Sequence, residues 1–141
     1  MEQFPEFVGN HMVLFSLLVV IVIALAMNIW ASIGVAGKQV TGQALIGLIN
    51  HETGTVLDVR EREAFERGHI LDALHIPLKK LPDNLGELEK HKDSPLVICC
   101  QTGNASAQAS GILAKSGHTN LYRLQGGISA WQSDNLPLTR D

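Results

Sequence analysis

The stretch Leu96-Val-Ile-Cys-Cys-Gln-Thr-Gly-Asn-Ala-Ser106 decides the reading of this chain. Residues 96–99 form a short apolar, β-branched-rich run after Pro95, the pattern of a buried strand. Residues 101–104 are a polar loop with one glycine, and from Ala105 small and apolar residues continue at helical spacing to Gly117, with Lys115 in the last turn. Strand, tight loop and helix in that order aim the loop amides and the positive helix end at one point, and Cys100 falls there. Unpaired amides and the dipole stabilise a thiolate, so Cys100 is read as a nucleophile. No Asp or Glu lies between Cys100 and Lys115, which leaves the spot open to an anion. Cys99, on the alternate strand face, is read as a packing residue.

Outward from this stretch the composition splits in two. The chain has 141 residues, and all 11 Lys and Arg lie at or beyond Lys38 with 12 of the 14 Asp and Glu, a net charge of −1 for that part. So balanced a surface lacks the basic face that nucleic-acid binding needs. The 2 cysteines are neighbours, and the histidines are scattered singly, so neither a disulfide framework nor a zinc site is expected. No GxGxxG or Walker-type loop is present.

The first part holds a short tail, 1–11, and then residues 12–36, without a formal charge and dense in Val, Leu and Ile. At 1.5 Å per residue that run spans roughly 37 Å as a helix, more than the ~30 Å of bilayer hydrocarbon. It is expected to be a transmembrane helix with Trp30 as an interfacial anchor. A cleavable signal peptide is the rival, but it needs a positive n-region and a shorter apolar core. Lys38 follows the span and no Lys or Arg precedes it, so a single-pass protein of the inner membrane is expected, with its C-terminal domain, 37–141, in the cytoplasm.

Beyond Lys38, apolar β-rich runs alternate with amphipathic stretches. Strands are expected at 39–41, 55–59, 73–76, 96–99 and 120–124. Helices are expected at 43–50, with Ala44, Leu45 and Leu48 inward, at 61–67, 81–91 and 105–116, and as a last turn or two at 128–133. Repeated β-then-α order implies an α/β fold, a mostly parallel sheet with helices on both faces. Ligands then bind beyond the carboxyl ends of the strands, where Cys100 lies. Asp58 and Arg60 are read as structural, pairing with the loop or with Glu63, and His69 and His75 as hydrogen-bonded scaffold. Gly126 and Gly127 are read as a turn of unusual φ, and Trp131 as core.

Leu57-Asp-Val-Arg60, Glu63 with Phe65, Gly68-His-Ile70, His75-Ile-Pro77, Cys100-Gln-Thr-Gly-Asn-Ala-Ser106 and Gly126-Gly-Ile-Ser-Ala-Trp131 recur in an order and spacing that resemble a single-domain rhodanese, the sulfurtransferase homology domain. With the apolar span, the whole resembles the YibN-type membrane rhodaneses of bacteria. The resemblance implies a rhodanese-like three-layer fold around a central parallel five-stranded sheet, with no cofactor. It implies sulfane-sulfur transfer from a donor such as thiosulfate or a persulfide, through a persulfide on Cys100, to a thiol acceptor. Gln101, Thr102, Gly103, Asn104, Ala105 and Ser106 would then form the substrate-binding loop, their amides stabilising the persulfide anion.

The departure from the family pattern is that Gln101 and Ala105 stand where many active members carry basic residues. A missing charge-assisted contact of ~1.5–3 kcal/mol means roughly ten- to a hundredfold weaker engagement of thiosulfate. Poor thiosulfate activity is therefore expected, with less anionic persulfides or a protein partner as donors. The absent arginine also tells against a phosphatase. The alternative is a rhodanese fold kept as an interaction module for a membrane protein complex.

Overall fold

The computed structural model describes residues 9, 11–35 and 37–140, with the backbone alone described at 31–35. The expected tail 1–11 lies almost wholly outside the described residues, as do Ala36, at the end of the expected span, and Asp141. The chain divides into two compact units, Met1–Gly34 and Val35–Asp141.

Helix α1 (Met12–Val35), which lies in the first unit up to Gly34, has no acidic first turn and no basic last turn. Its stretch Met12–Trp30 is long and apolar enough to cross a membrane and buries none of its residues. Its length and uniformly apolar composition make it a candidate membrane span.

The second unit holds five strands: β1 (Lys38–Val40), β2 (Thr55–Asp58), β3 (Leu74–His75), β4 (Leu96–Cys99) and β5 (Leu121–Leu124). All pair in parallel, in the order β1-β5-β4-β2-β3. Strand β4 is central and buried at every position, which is why its sequence reads as an unbroken apolar run and not as an alternation. Side-chain alternation divides the core in two. Leu96, Ile98 and Cys100 pack with Leu57, Val59, Leu81, Leu88 and Leu113 on one face. Val97 and Cys99 pack with Val56, Leu45, Leu48, Leu124 and Trp131 on the other.

Four helices flank the sheet: α2 (Gly42–Glu52), α3 (Arg62–Arg67), α4 (Asn104–Lys115) and α5 (Gly127–Ser133). The Thr41 hydroxyl caps α2 by accepting from the Ala44 N–H. Gly42, Leu45 and Leu48 are its buried positions, whereas Ala44 is exposed, contrary to expectation. Gly42 takes the inward place because a Cβ there would press into Leu136 and Trp131.

The segment expected as one helix over 81–91 is instead two 3₁₀ turns, Leu78–Asp83 and Leu85–His91. Pro82 offers no N–H to an α ladder, and Asn84 caps the first turn, its N–H donating to the Leu81 carbonyl. Leu81 and Leu88 are still fully buried, so the apolar spacing served its packing role without an α-helix.

A candidate active site at the end of the central strand

The parallel sheet carries β2 and β4 side by side, pairing Asp58 with Cys99, so the chain leaves both strands at the same edge. Val59 and Arg60 follow β2, and Cys100 follows β4. Cys100 turns through the loop into α4, whose N-cap Gly103 has φ +109, a conformation that suits glycine. Gly103 also donates its backbone N–H to Cys100 Sγ at 2.9 Å. Among the described residues this is the one loop amide within hydrogen-bond reach of the sulfur, fewer than the converging set expected.

The expected loop residues divide by what they touch. Cys100, Gln101, Thr102, Asn104 and Ala105 line a cleft of ≈ 940 Å³. Ser106 is fully buried and donates its hydroxyl to the Gly103 carbonyl at 2.7 Å, so Ser106 and Gly103 shape the loop without lining the cleft. The Gln101 side chain donates to Ser129 Oγ at 3.0 Å and lies 3.5 Å, at the outer limit of a hydrogen bond, from the Arg60 guanidinium.

Two features of the loop are non-local. The Ile128 and Ser129 amides, opening α5, donate to the Cys100 and Gln101 carbonyls at 2.8 and 3.1 Å. That approach needs Gly126 and Gly127, both at positive φ (71° and 62°). A Cβ on Gly127 would collide with the Cys100 carbonyl oxygen and come within 2.7 Å of Gln101 backbone atoms. The unusual-φ turn expected there is thus also a contact surface for the Cys100 loop, which only a three-dimensional view reveals.

Asp58 is fully buried and Arg60 nearly so. The Arg60 Nε and Nη2 donate to the Asp58 carboxylate at 2.7–3.0 Å, and Nη2 also donates to the Gly68 carbonyl at 2.7 Å. Arg60 therefore pairs with Asp58 itself and not with Glu63. The pair ties β2 to the turn that ends α3, and the carboxylate compensates the cation before any substrate arrives. His75 Nε2 donates to the Arg60 carbonyl at 2.8 Å and His69 Nδ1 to the Phe65 carbonyl at 2.9 Å. Both rings stack on Phe65, at 4.2 and 3.8 Å between centroids. The two histidines are scaffold, as their sequence context indicated.

The two cysteines part completely, and both are free thiols. Cys99 is fully buried on the Trp131 side, and burial foremost, with the Asp58 carboxylate second, pushes its thiol well above the ordinary cysteine range. Cys100 keeps 3% exposure and opens into the cleft. The cleft is also lined by Val59, Arg60 and Glu61 after β2, by α3 and the turn that ends it (Glu63, Ala64, Arg67, Gly68), by Leu78 and Lys79, by Ile128 and Gln132, and by Leu138 in the C-terminal strap. That strap is held by antiparallel backbone bonds between His69 and Thr139 and by Trp131 Nε1 donating to the Pro137 carbonyl at 2.9 Å. Leu138 lies against Gly68. The sequence reading missed it because the contact spans most of the domain and no local pattern signals it.

A parallel five-stranded sheet with a cysteine loop opening a helix at its central strand defines the rhodanese class, and the rhodanese-like domain family matches residues 41–134. The chain belongs to the rhodanese-like family. Among individual proteins, it is similar along nearly its whole length to the uncharacterized protein YibN of Escherichia coli K12, with 32% identity over 99% of both chains. It is also similar to the thiosulfate sulfurtransferase GlpE of Pseudomonas syringae pv. syringae, with 37% identity over 58% of this chain and 76% of the relative. Its fold matches the crystal structure of a rhodanese-related protein from Thermoplasma volcanium at a TM-score of 0.66 and 30% identity, covering 74% of this chain and 99% of that one.

Proposed function

We propose that this protein is a membrane-anchored sulfurtransferase that carries sulfane sulfur on Cys100. The observation that carries the reading is the position of Cys100 Sγ, at the floor of a cleft and 2.9 Å from the Gly103 amide. The Cys100 thiolate attacks the outer sulfur of a persulfide R–S–S⁻; the bond to R–S breaks and R–S⁻ leaves. The Cys100 persulfide then passes its outer sulfur to an acceptor thiolate R′–S⁻, giving R′–S–S⁻ and restoring the Cys100 thiolate. No external oxidant or reductant is needed. The Gly103 N–H stabilises negative charge on the sulfur in both states, and the loop 101–106 surrounds the anion. Helix α1 holds the domain at the inner membrane on the cytoplasmic side, by the charge bias around Lys38.

Ala105 in the cleft wall supports weak use of thiosulfate, since no cation from the loop's own side chains meets the dianion. The same apolar wall favours a second reading, a rhodanese fold used to bind a protein at the membrane with little chemistry. The test treats the full chain with polysulfide and then with thiosulfate, and follows sulfur on Cys100 by mass spectrometry. Loading from polysulfide with slow loading from thiosulfate is expected, and Ala105→Arg should speed the thiosulfate reaction about tenfold while changing the polysulfide reaction little. No loading from either donor, under conditions where an active sulfurtransferase is loaded, would establish the interaction module instead.

A further inference from the structure

The cleft over Cys100 is far larger than an inorganic donor requires. Its ≈ 940 Å³ falls near the upper end of the ~300–1,000 Å³ pockets that enclose organic ligands. Its lining includes apolar side chains from four separate places: Leu78 after β3, Ala105 on α4, Ile128 on α5 and Leu138 on the strap. A small dianion would leave these side chains against water and find the buried Arg60 already held by Asp58. At the rim stands Arg67, exposed and without a hydrogen bond or ion pair among the described residues. The other rim charges are Glu61 and Lys79, which lie 3.9 Å apart, and Glu63, one turn before Arg67 on α3.

Resting on the sulfur-carrier reading, we propose that the donor is an organic sulfane-sulfur compound with an apolar body and an anionic end. Leu78, Ala105, Ile128 and Leu138 select the body, and Arg67 holds the far anion. Arg67 is a specificity residue, not a catalytic one, because it stands at the rim and the reacting sulfur at the floor. An aromatic thiosulfonate has the required shape and serves as the probe. The Cys100 thiolate attacks the outer sulfur of Ar–SO₂–S⁻, the sulfur–sulfur bond breaks and the sulfinate Ar–SO₂⁻ departs, so that charge and atoms balance.

The experiment measures Cys100 loading in the full chain, in lipid nanodiscs, from methanethiosulfonate, benzenethiosulfonate and 4-carboxybenzenethiosulfonate, each rate divided by that with free N-acetylcysteine. Benzenethiosulfonate should exceed the methyl compound by more than about fivefold, in keeping with the added apolar burial. Leu138→Ser should remove most of that preference and Leu138→Met restore it, with circular dichroism reporting whether each variant is folded. Arg67→Met should slow the carboxylated donor severalfold and spare the unsubstituted one, and added salt should erase the difference. A phenyl-to-methyl ratio below fivefold, with both donors still loading Cys100, overturns the apolar selection and leaves the sulfur carrier intact. An Arg67→Met substitution that changes the two aromatic donors' rates by the same factor, or changes neither, overturns the role of Arg67. Failure of every donor and of polysulfide overturns the sulfur carrier itself.

Discussion

Cys99 and Cys100 are adjacent in sequence and opposite in circumstance. The first is fully buried in one layer, packed with Val97, Leu124 and Trp131. The second ends the other layer where that layer borders the cleft. What separates them is the two-residue period of a strand and the loop that follows it, so two identical thiols become a packing atom and a candidate nucleophile. Chemistry in this fold is assigned by face, not by residue type.

Breaking the open side should have the largest consequence. Cys100→Ala is expected to reduce sulfur uptake from polysulfide to background, measured by mass spectrometry of the intact chain, whereas Cys99→Ala should leave uptake within about twofold and lower stability by ~1–2 kcal/mol in urea titrations. Next comes the buried pair beneath the loop. Asp58→Asn strands the Arg60 guanidinium in the interior and should cost ~3–5 kcal/mol in the same titration. A smaller loss, about 2 kcal/mol or more, is expected for Gly127→Ala, because the new Cβ meets the Cys100 carbonyl and the residue must keep a positive φ. That variant should also load sulfur more slowly, since α5 would be pushed off the loop it braces.

The smallest effect lies at the far end of the sheet, away from the cleft. His91 Nδ1 is 3.3 Å from Thr55 Oγ1, and its Nε2 is buried without a partner among the described residues. Its pKa is lowered, first by burial, then by Lys90 and His118. The neutral ring is the one the fold accepts, so its contribution is present above the ordinary imidazole value of about 6.5 and is lost as pH falls through the lowered value. His91→Gln should flatten that slope in unfolding measurements between pH 7 and 5, without altering the Cys100 reaction.

The same contrast explains what the sequence made legible. Strand β4 and the loop after it could be read because each signal is local: an apolar run behind Pro95, polar residues with Gly103, then helical spacing. The inward Cys99 and the scaffold roles of His69 and His75 follow equally from short-range context. Ala44 was misplaced because helical spacing alone does not choose between neighbouring positions when Gly42 must face Trp131. The 81–91 segment was misread because its leucine spacing also suits 3₁₀ turns, and Pro82 tips the backbone that way. Arg60 bonding to Asp58, the α5 amides on the Cys100 loop and Leu138 in the cleft wall all depend on side-chain direction or on contacts across the domain. These non-local features complete the candidate site, so Cys100 and its own loop were legible as one unit and the walls from α3, α5 and the C-terminal strap were not.

The most direct test of the central claim is fragmentation mass spectrometry of the Cys99–Cys100 peptide after brief treatment of the whole protein with polysulfide. The account predicts one added sulfur on Cys100 and none on Cys99, with the signal absent in Cys100→Ala. Sulfur on Cys99, or undiminished loading of the Cys100→Ala protein, would contradict it.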